Sequence, residues 1–96
     1  MKDRQPVLEE QFKRRYNRDV EVCREVIANE ERKIEKVYID IKYKKNTYKL
    51  TEYLTKEMST DYATVSIGDK EYRYKTYLEA EIFVADMIGD QDGNCH

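Results

Sequence analysis

Residues 61–89, DYATVSIGDKEYRYKTYLEAEIFVADMIG, decide how the fold is read. Ala63, Val65 and Ile67 alternate with Tyr62, Thr64 and Ser66, the period of two expected of a half-buried strand. Gly68-Asp69 follows, and Gly at the first central position suits a type II′ hairpin turn. A two-residue turn there sets Ile67 opposite Lys70, Val65 opposite Tyr72 and Ala63 opposite Tyr74. One hairpin face then carries Ala63, Val65, Ile67, Tyr72 and Tyr74. The other carries Tyr62, Thr64, Ser66, Glu71, Arg73 and Lys75. A one-residue slip would turn the apolar face to water, so the register is well specified. Thr76-Tyr77-Leu78-Glu79 has capping-box spacing and predicts a helix over 76–89. Its apolar stripe is read as Leu78, Ile82, Ala85 and Gly89, widened by Phe83, Met87 and Ile88, with Gly89 as the left-handed C-terminal residue.

Outward from that unit, Leu8, Phe12, Tyr16, Val20, Cys23, Ile27 and Ile34 recur at helical steps. They predict one long amphipathic helix from Pro6 to Glu35, with Pro6 in its first turn. Asn17-Arg18-Asp19 is the place where it could break. Unbroken, such a helix spans about 45 Å, against a radius of gyration of about 12–13 Å for a chain this size, so part of it would project and offer a surface for self-association. Val37, Ile39, Ile41 and Tyr43 predict a strand over 37–43. Lys45-Asn46 offers a turn, and a partner strand runs from Tyr48 to about Thr51. An irregular or helical turn is then expected to Thr60. Residues 1–5 and 90–96 are expected to be disordered.

The chain has 96 residues, which predicts a single domain over 1–96. Forty per cent of the residues are hydrophobic and forty per cent charged, so the core is thin and the surface very polar. The net charge of −2 conceals a gradient: 1–35 is neutral, 36–77 carries +3 and 78–96 carries −5. A sheet region at +3 is weakly basic for a nucleic-acid binder. No apolar run approaches the ~20 residues of a membrane span, and the first residues lack the apolar core of a signal peptide. The two cysteines do not make a disulfide framework, and Cys23 reads as a thiol on the apolar stripe of the long helix. These features lead to a cytoplasmic location as the expectation. Nine tyrosines stand against two phenylalanines and no tryptophan. Tyrosine can bury its ring while its hydroxyl stays wet, which fits half-exposed sheet positions.

Chemistry is scarce. The one histidine is His96, beside Cys95, and a terminus does not hold a reacting geometry. Ser59 and Ser66 have no base near them in the pattern. Asp90-Gln91-Asp92-Gly93-Asn94 lacks the later ligands of a twelve-residue calcium loop. Gly68, Gly89 and Gly93 are too dispersed for a phosphate loop. No catalytic residue, metal or cofactor is therefore expected. Two groups remain as binding candidates. The helix offers Phe12, Arg15, Tyr16 and Arg18, part of the basic run Lys13–Arg18. The sheet offers Tyr38, Tyr53, Tyr62 and Arg73, with Lys42, Lys44, Lys49 and Lys75 nearby and Asp40, Glu52 and Glu71 interleaved.

The expected fold is α+β: a long N-terminal helix, a three- to four-stranded antiparallel sheet and a C-terminal helix on one sheet face. A helix, three or four strands and a helix is also the order of the double-stranded-RNA-binding domain. That family sets a lysine cluster at the start of its last helix, whereas here Lys75 stands alone before an acidic helix, so its function is not carried over. In composition the chain resembles small accessory proteins of phages and mobile elements, and no motif carries that likeness. The expected function is binding without catalysis, by an inhibitor or adaptor that contacts a protein partner and self-associates through the long helix. The alternative is nucleic-acid binding by the Tyr/Lys/Arg sheet face.

Overall fold

The computed structural model describes residues 2–31 and 33–93. Among them the elements run β1 (Asp3–Arg4), α1 (Pro6–Tyr16), β2 (Glu21–Ala28), β3 (Ile34–Tyr43), β4 (Asn46–Leu54), β5 (Thr60–Ile67), β6 (Lys70–Tyr74) and α2 (Tyr77–Gly93). The strands form one six-stranded sheet in chain order. Every pairing is antiparallel.

The long N-terminal helix is not formed, and the sheet has six strands rather than three or four. α1 stops after 11 residues because Asn17 turns left-handed, at φ 56 and ψ 42. Its N–H still donates to the Lys13 carbonyl at 2.8 Å, closing the last turn. Asparagine tolerates this conformation where most residues are strained. Beyond it, 20–34 can be read with two periods. Val20, Cys23, Ile27 and Ile34 fit a helix, while Val20, Val22 and Val26 fit a strand. β-branched side chains favour the pleated alternative, and pairing of Val22 with Ile41 and of Val26 with Val37 secures it. Cys23 therefore lies on a strand. Asn29 makes the return bend, its side-chain oxygen accepting from the N–H groups of Glu31 at 2.9 Å and Lys33 at 3.0 Å. A projecting helix is thus not present as a self-association surface.

Asp3 and Arg4, expected to be frayed, pair with Arg24 and Cys23. Further along the same edge, α1 supplies the partners. Gln5 N–H donates to the Val22 carbonyl and Val22 N–H donates to the Glu9 carboxylate, both at 2.8 Å. Arg4 clamps that carboxylate through Nε at 2.7 Å and Nη2 at 2.9 Å.

The β5–β6 hairpin has the expected register, Ile67↔Lys70, Val65↔Tyr72 and Ala63↔Tyr74. Gly68 has φ +62. The β3–β4 turn falls on Lys44-Lys45, one residue earlier than expected, because Tyr43 pairs with Asn46. β4 continues past Thr51 to Leu54, and a tight bend at 55–59 follows, closed by Thr55 N–H on the Ser59 carbonyl at 2.8 Å.

Thr76 caps α2, its hydroxyl accepting from Glu79 N–H at 3.2 Å. The helix does not end at Gly89 but runs to Gly93, so 90–93 of the expected disordered tail are helical. Its buried stripe is Ala80, Glu81, Val84 and Ile88. Leu78 and Ile82, expected inside, are 53% and 43% exposed. Small Ala80 and branched Val84 and Ile88 repeat at i, i+4 and i+8 and let the helix lie close on the sheet.

The core fills the space between the helices and one sheet face. Phe12 comes from α1, Ala80, Val84 and Ile88 from α2, and Val22, Val37, Ile39, Ile41, Leu50, Ala63 and Val65 from the strands. Leu50→Ala is expected to lower stability by about 2–5 kcal/mol, since its side chain is 1% exposed. Leu78→Ala is expected to change it by less than about 1 kcal/mol. Urea unfolding of the two variants checks this, and equal losses would contradict the observed helix face.

Candidate functional site

Strand alternation and register place the sheet candidates together. Tyr38, Thr51, Thr64 and Arg73 form one cross-strand row from β3 to β6. Lys36, Tyr53 and Tyr62 form the adjacent row. All of these lie on the face opposite the helices, because their neighbours Val37, Ile39, Leu50, Ala63 and Val65 point into the core.

The side chains of this open face organise one another. Tyr53 and Tyr62 stack with centroids 4.5 Å apart and planes 20° apart. The Arg73 guanidinium carbon lies 3.8 Å from the Tyr62 centroid, within cation–π range. Lys36 Nζ stands 5.2 Å from the centroid of Tyr38, and Lys2 Nζ lies 6.0 Å from it on another approach. Tyr38 raises the Lys36 pKa by accepting a hydrogen bond and favouring its charged form. Lys2 is also held by Asp40 at 2.7 Å. In the middle, Thr64 is only 5% exposed, although no helix covers it. Thr51 and Arg73 flank it directly across the strands, and Tyr62 stands two residues along β5 on the same face. Lys42 and Lys49 extend the basic character, while Glu25, Asp40 and Glu71 lie in the same or neighbouring rows. The face is therefore aromatic and of mixed charge rather than uniformly basic.

The helix candidates are placed elsewhere, on and just after α1, with Phe12 buried, Tyr16 and Arg18 half-buried and Arg15 exposed. Phe12 is 3% exposed and packs on Tyr16, with centroids 4.6 Å apart. Arg15 Nη1 lies 3.0 Å from the carboxylate of Glu81, a side chain only 6% exposed. Arg18 Nε lies 3.0 Å from Asp92 Oδ2, although its N–H is not aligned for a hydrogen bond. Asp92 also accepts from Lys44 at 3.1 Å and from the Tyr43 hydroxyl. These four residues tie α1 to α2 and to the sheet. Phe12 and Arg15 also line the wall of an interhelical groove of about 350 Å³ with Leu8, Tyr77, Leu78 and Glu81.

The sequence reading missed Glu81, Asp92, Lys36 and Thr64. A signal for Glu81 was available, since one acid falls on the i, i+4 stripe of Tyr77 and Ala85. Lys36 could have been found from its i, i+2 relation to Tyr38 on a strand. Among the described residues no group of three His, Cys, Asp or Glu is arranged to hold a metal. Cys95, His96 and Asn94 of the calcium-like run lie outside the described residues. What the open face offers chemically is stacking, hydroxyl hydrogen bonding and cationic contact. Compared with known proteins, the chain matches no family model, no curated protein and no solved structure.

Electrostatics at the helix junction set a pH dependence. Burial, reinforced by Glu81, pushes Tyr16 up to about 12. Tyr77 is raised by the same two causes. The folded chain holds these protons more tightly than the unfolded chain. Their contribution is complete below the ordinary tyrosine value near ~10 and is lost as pH rises toward about 12. The acid side has the opposite sign. Arg4 holds Glu9 below the usual carboxylate range, and Tyr43 with Lys44 does the same for Asp92. That stabilisation is present above the ordinary carboxylate values and fades as pH falls through the depressed ones. Ultraviolet titration of tyrosinate is expected to show Tyr16 deprotonating above the ordinary tyrosine value, at about 12, and Glu81→Gln is expected to bring it downward. A Tyr16 titration unmoved by Glu81→Gln would contradict the assigned junction.

Proposed function

We propose that this protein works by binding, without catalysis, and that the open sheet face recognises a protein partner through Tyr38, Tyr53, Tyr62 and Arg73. The observation that carries the reading is the prearranged Tyr53–Tyr62–Arg73 stack on a face that neither helix covers. Tyrosine and arginine are the usual anchors of protein interfaces, and a stack already formed loses little side-chain freedom on binding. The mixed charge around it, Lys36, Lys42 and Lys49 against Glu25, Asp40 and Glu71, matches a polar protein surface carrying both signs better than a polyanion. An inhibitor or an adaptor would use such a face in the same way, by occupying a partner's surface.

Nucleic acid is the second reading. The same tyrosines could stack bases while the lysines follow phosphates. It predicts affinity that falls steeply with salt.

The test compares wild type with Tyr62→Ala, Arg73→Ala and, at the distant β3–β4 turn, Lys45→Ala. Partner recovery from the source cell, followed by titration with the purified partner, is expected to weaken about 30-fold for Tyr62→Ala or Arg73→Ala, an interface anchor's loss of about 2 kcal/mol. Lys45→Ala is expected to bind as wild type does. A partner indifferent to both open-face substitutions would overturn the proposal. A mobility shift with RNA or DNA that vanishes as salt rises, without a protein partner, would favour the second reading.

A further inference from the structure

The two edges of the sheet are not alike. At the β1–β2 side, β1 covers the β2 edge at Cys23 and Arg24, and the Glu9 carboxylate takes the Val22 N–H. Beyond Val26 the strand bulges between Ile27 and Ala28, which spoils further pairing. β6 is the edge left open, with Lys70, Glu71, Tyr72 and Arg73 all exposed.

The backbone of β6 has a definite polarity. Its two-residue turn hydrogen-bonds Ile67 to Lys70, and pairs in an antiparallel ladder alternate between bonded and non-bonded. Lys70, Tyr72 and Tyr74 therefore use their backbone groups on β5, opposite Ile67, Val65 and Ala63. Glu71 and Arg73 direct theirs outward, away from the sheet. Among the described residues neither side chain has an ion-pair partner.

We propose that two copies of this chain pair antiparallel along β6, about a two-fold axis at Tyr72. That register joins Glu71 of each copy to Arg73 of the other. It makes both junctions bonded pairs, because those are the residues whose N–H and C=O groups face out. It also sets opposite charges directly across from each other twice on the open face. Shifting the axis to Glu71 or to Arg73 keeps the backbone bonds but brings like charges together. Within β6, the axis at Tyr72 is thus the one of these registers without a like-charge junction. The product is a continuous twelve-stranded sheet whose two Tyr62–Arg73 groups share one face. The pairing stands whatever that face binds.

Light scattering and sedimentation across a concentration series test it, with circular dichroism to verify folding. Wild type is expected to form a dimer. Glu71→Arg sets arginine against arginine at both junctions and is expected to weaken the dimer roughly 10- to 100-fold. The exchange Glu71→Arg with Arg73→Glu restores opposite charges in this register alone and is expected to return the affinity to within a few-fold of wild type. Glu71→Pro removes an outward N–H that β5 does not use, so it is expected to fold and remain monomeric. A double exchange as weak as Glu71→Arg overturns the proposal, as does a Glu71→Arg dimer as tight as wild type. A monomeric wild type also overturns it, and leaves the edge to a strand from another protein.

Discussion

A six-stranded sheet has two faces, and this chain places helices on one. At about 4.8 Å per strand the sheet is roughly 24–29 Å across, and a packed helix covers about 10 Å. The 11 residues of α1 and 17 of α2 are therefore just enough for a single layer. The other face has to be stable against water on its own. Much of the composition follows from that constraint. Tyrosine, threonine and lysine occupy the open rows, where ring and methylene surface can shield the sheet while hydroxyl and ammonium groups stay hydrated. Thr64 is buried on this face without a helix above it.

Holding both helices on one side requires ties, and these carry most of the chain's unusual electrostatics. Glu81 enters the apolar stripe of α2 with Arg15 beside it and is surrounded by the Tyr16 and Tyr77 environments it perturbs. Asp92 collects Arg18, Lys44 and Tyr43 at the far end of α2. The acidic last helix is thus matched to cations from α1 and from the β3–β4 turn. Two of the acids behind the charge gradient, Glu81 and Asp92, are paired within the fold.

The hairpin at 61–74 was legible because three local signals agreed: strict alternation, a turn glycine and a helix cap directly after it. Tyr38, Tyr53, Tyr62 and Arg73 could be named, yet their contact depended on the β4 register and on β4 reaching Leu54, which the Thr51 boundary obscured. The region 20–34 was not legible, since Val20, Cys23, Ile27 and Ile34 satisfy a helical period while Val20, Val22 and Val26 satisfy a strand period. A left-handed Asn17 and pairing to β3, a tertiary partner, decide between them. The helical end of α2 was hidden for a related reason. Asp90-Gln91-Asp92-Gly93 has little helical character of its own, and the cations that anchor Asp92 come from positions 18 and 44.

The strand order has a further consequence for how the molecule assembles. In a meander each strand meets the one made just before it, so β2 to β6 can zip together by successive short closures without waiting for distant chain. The helix ties are different in kind. Arg15 reaches Glu81 and Arg18 reaches Asp92 only by closing almost the whole chain into a loop. During synthesis the sheet would exist first, its apolar side covered by α1 alone, until α2 emerges and lies down. The interval between zipping and closure is the period in which the growing chain exposes the most apolar surface.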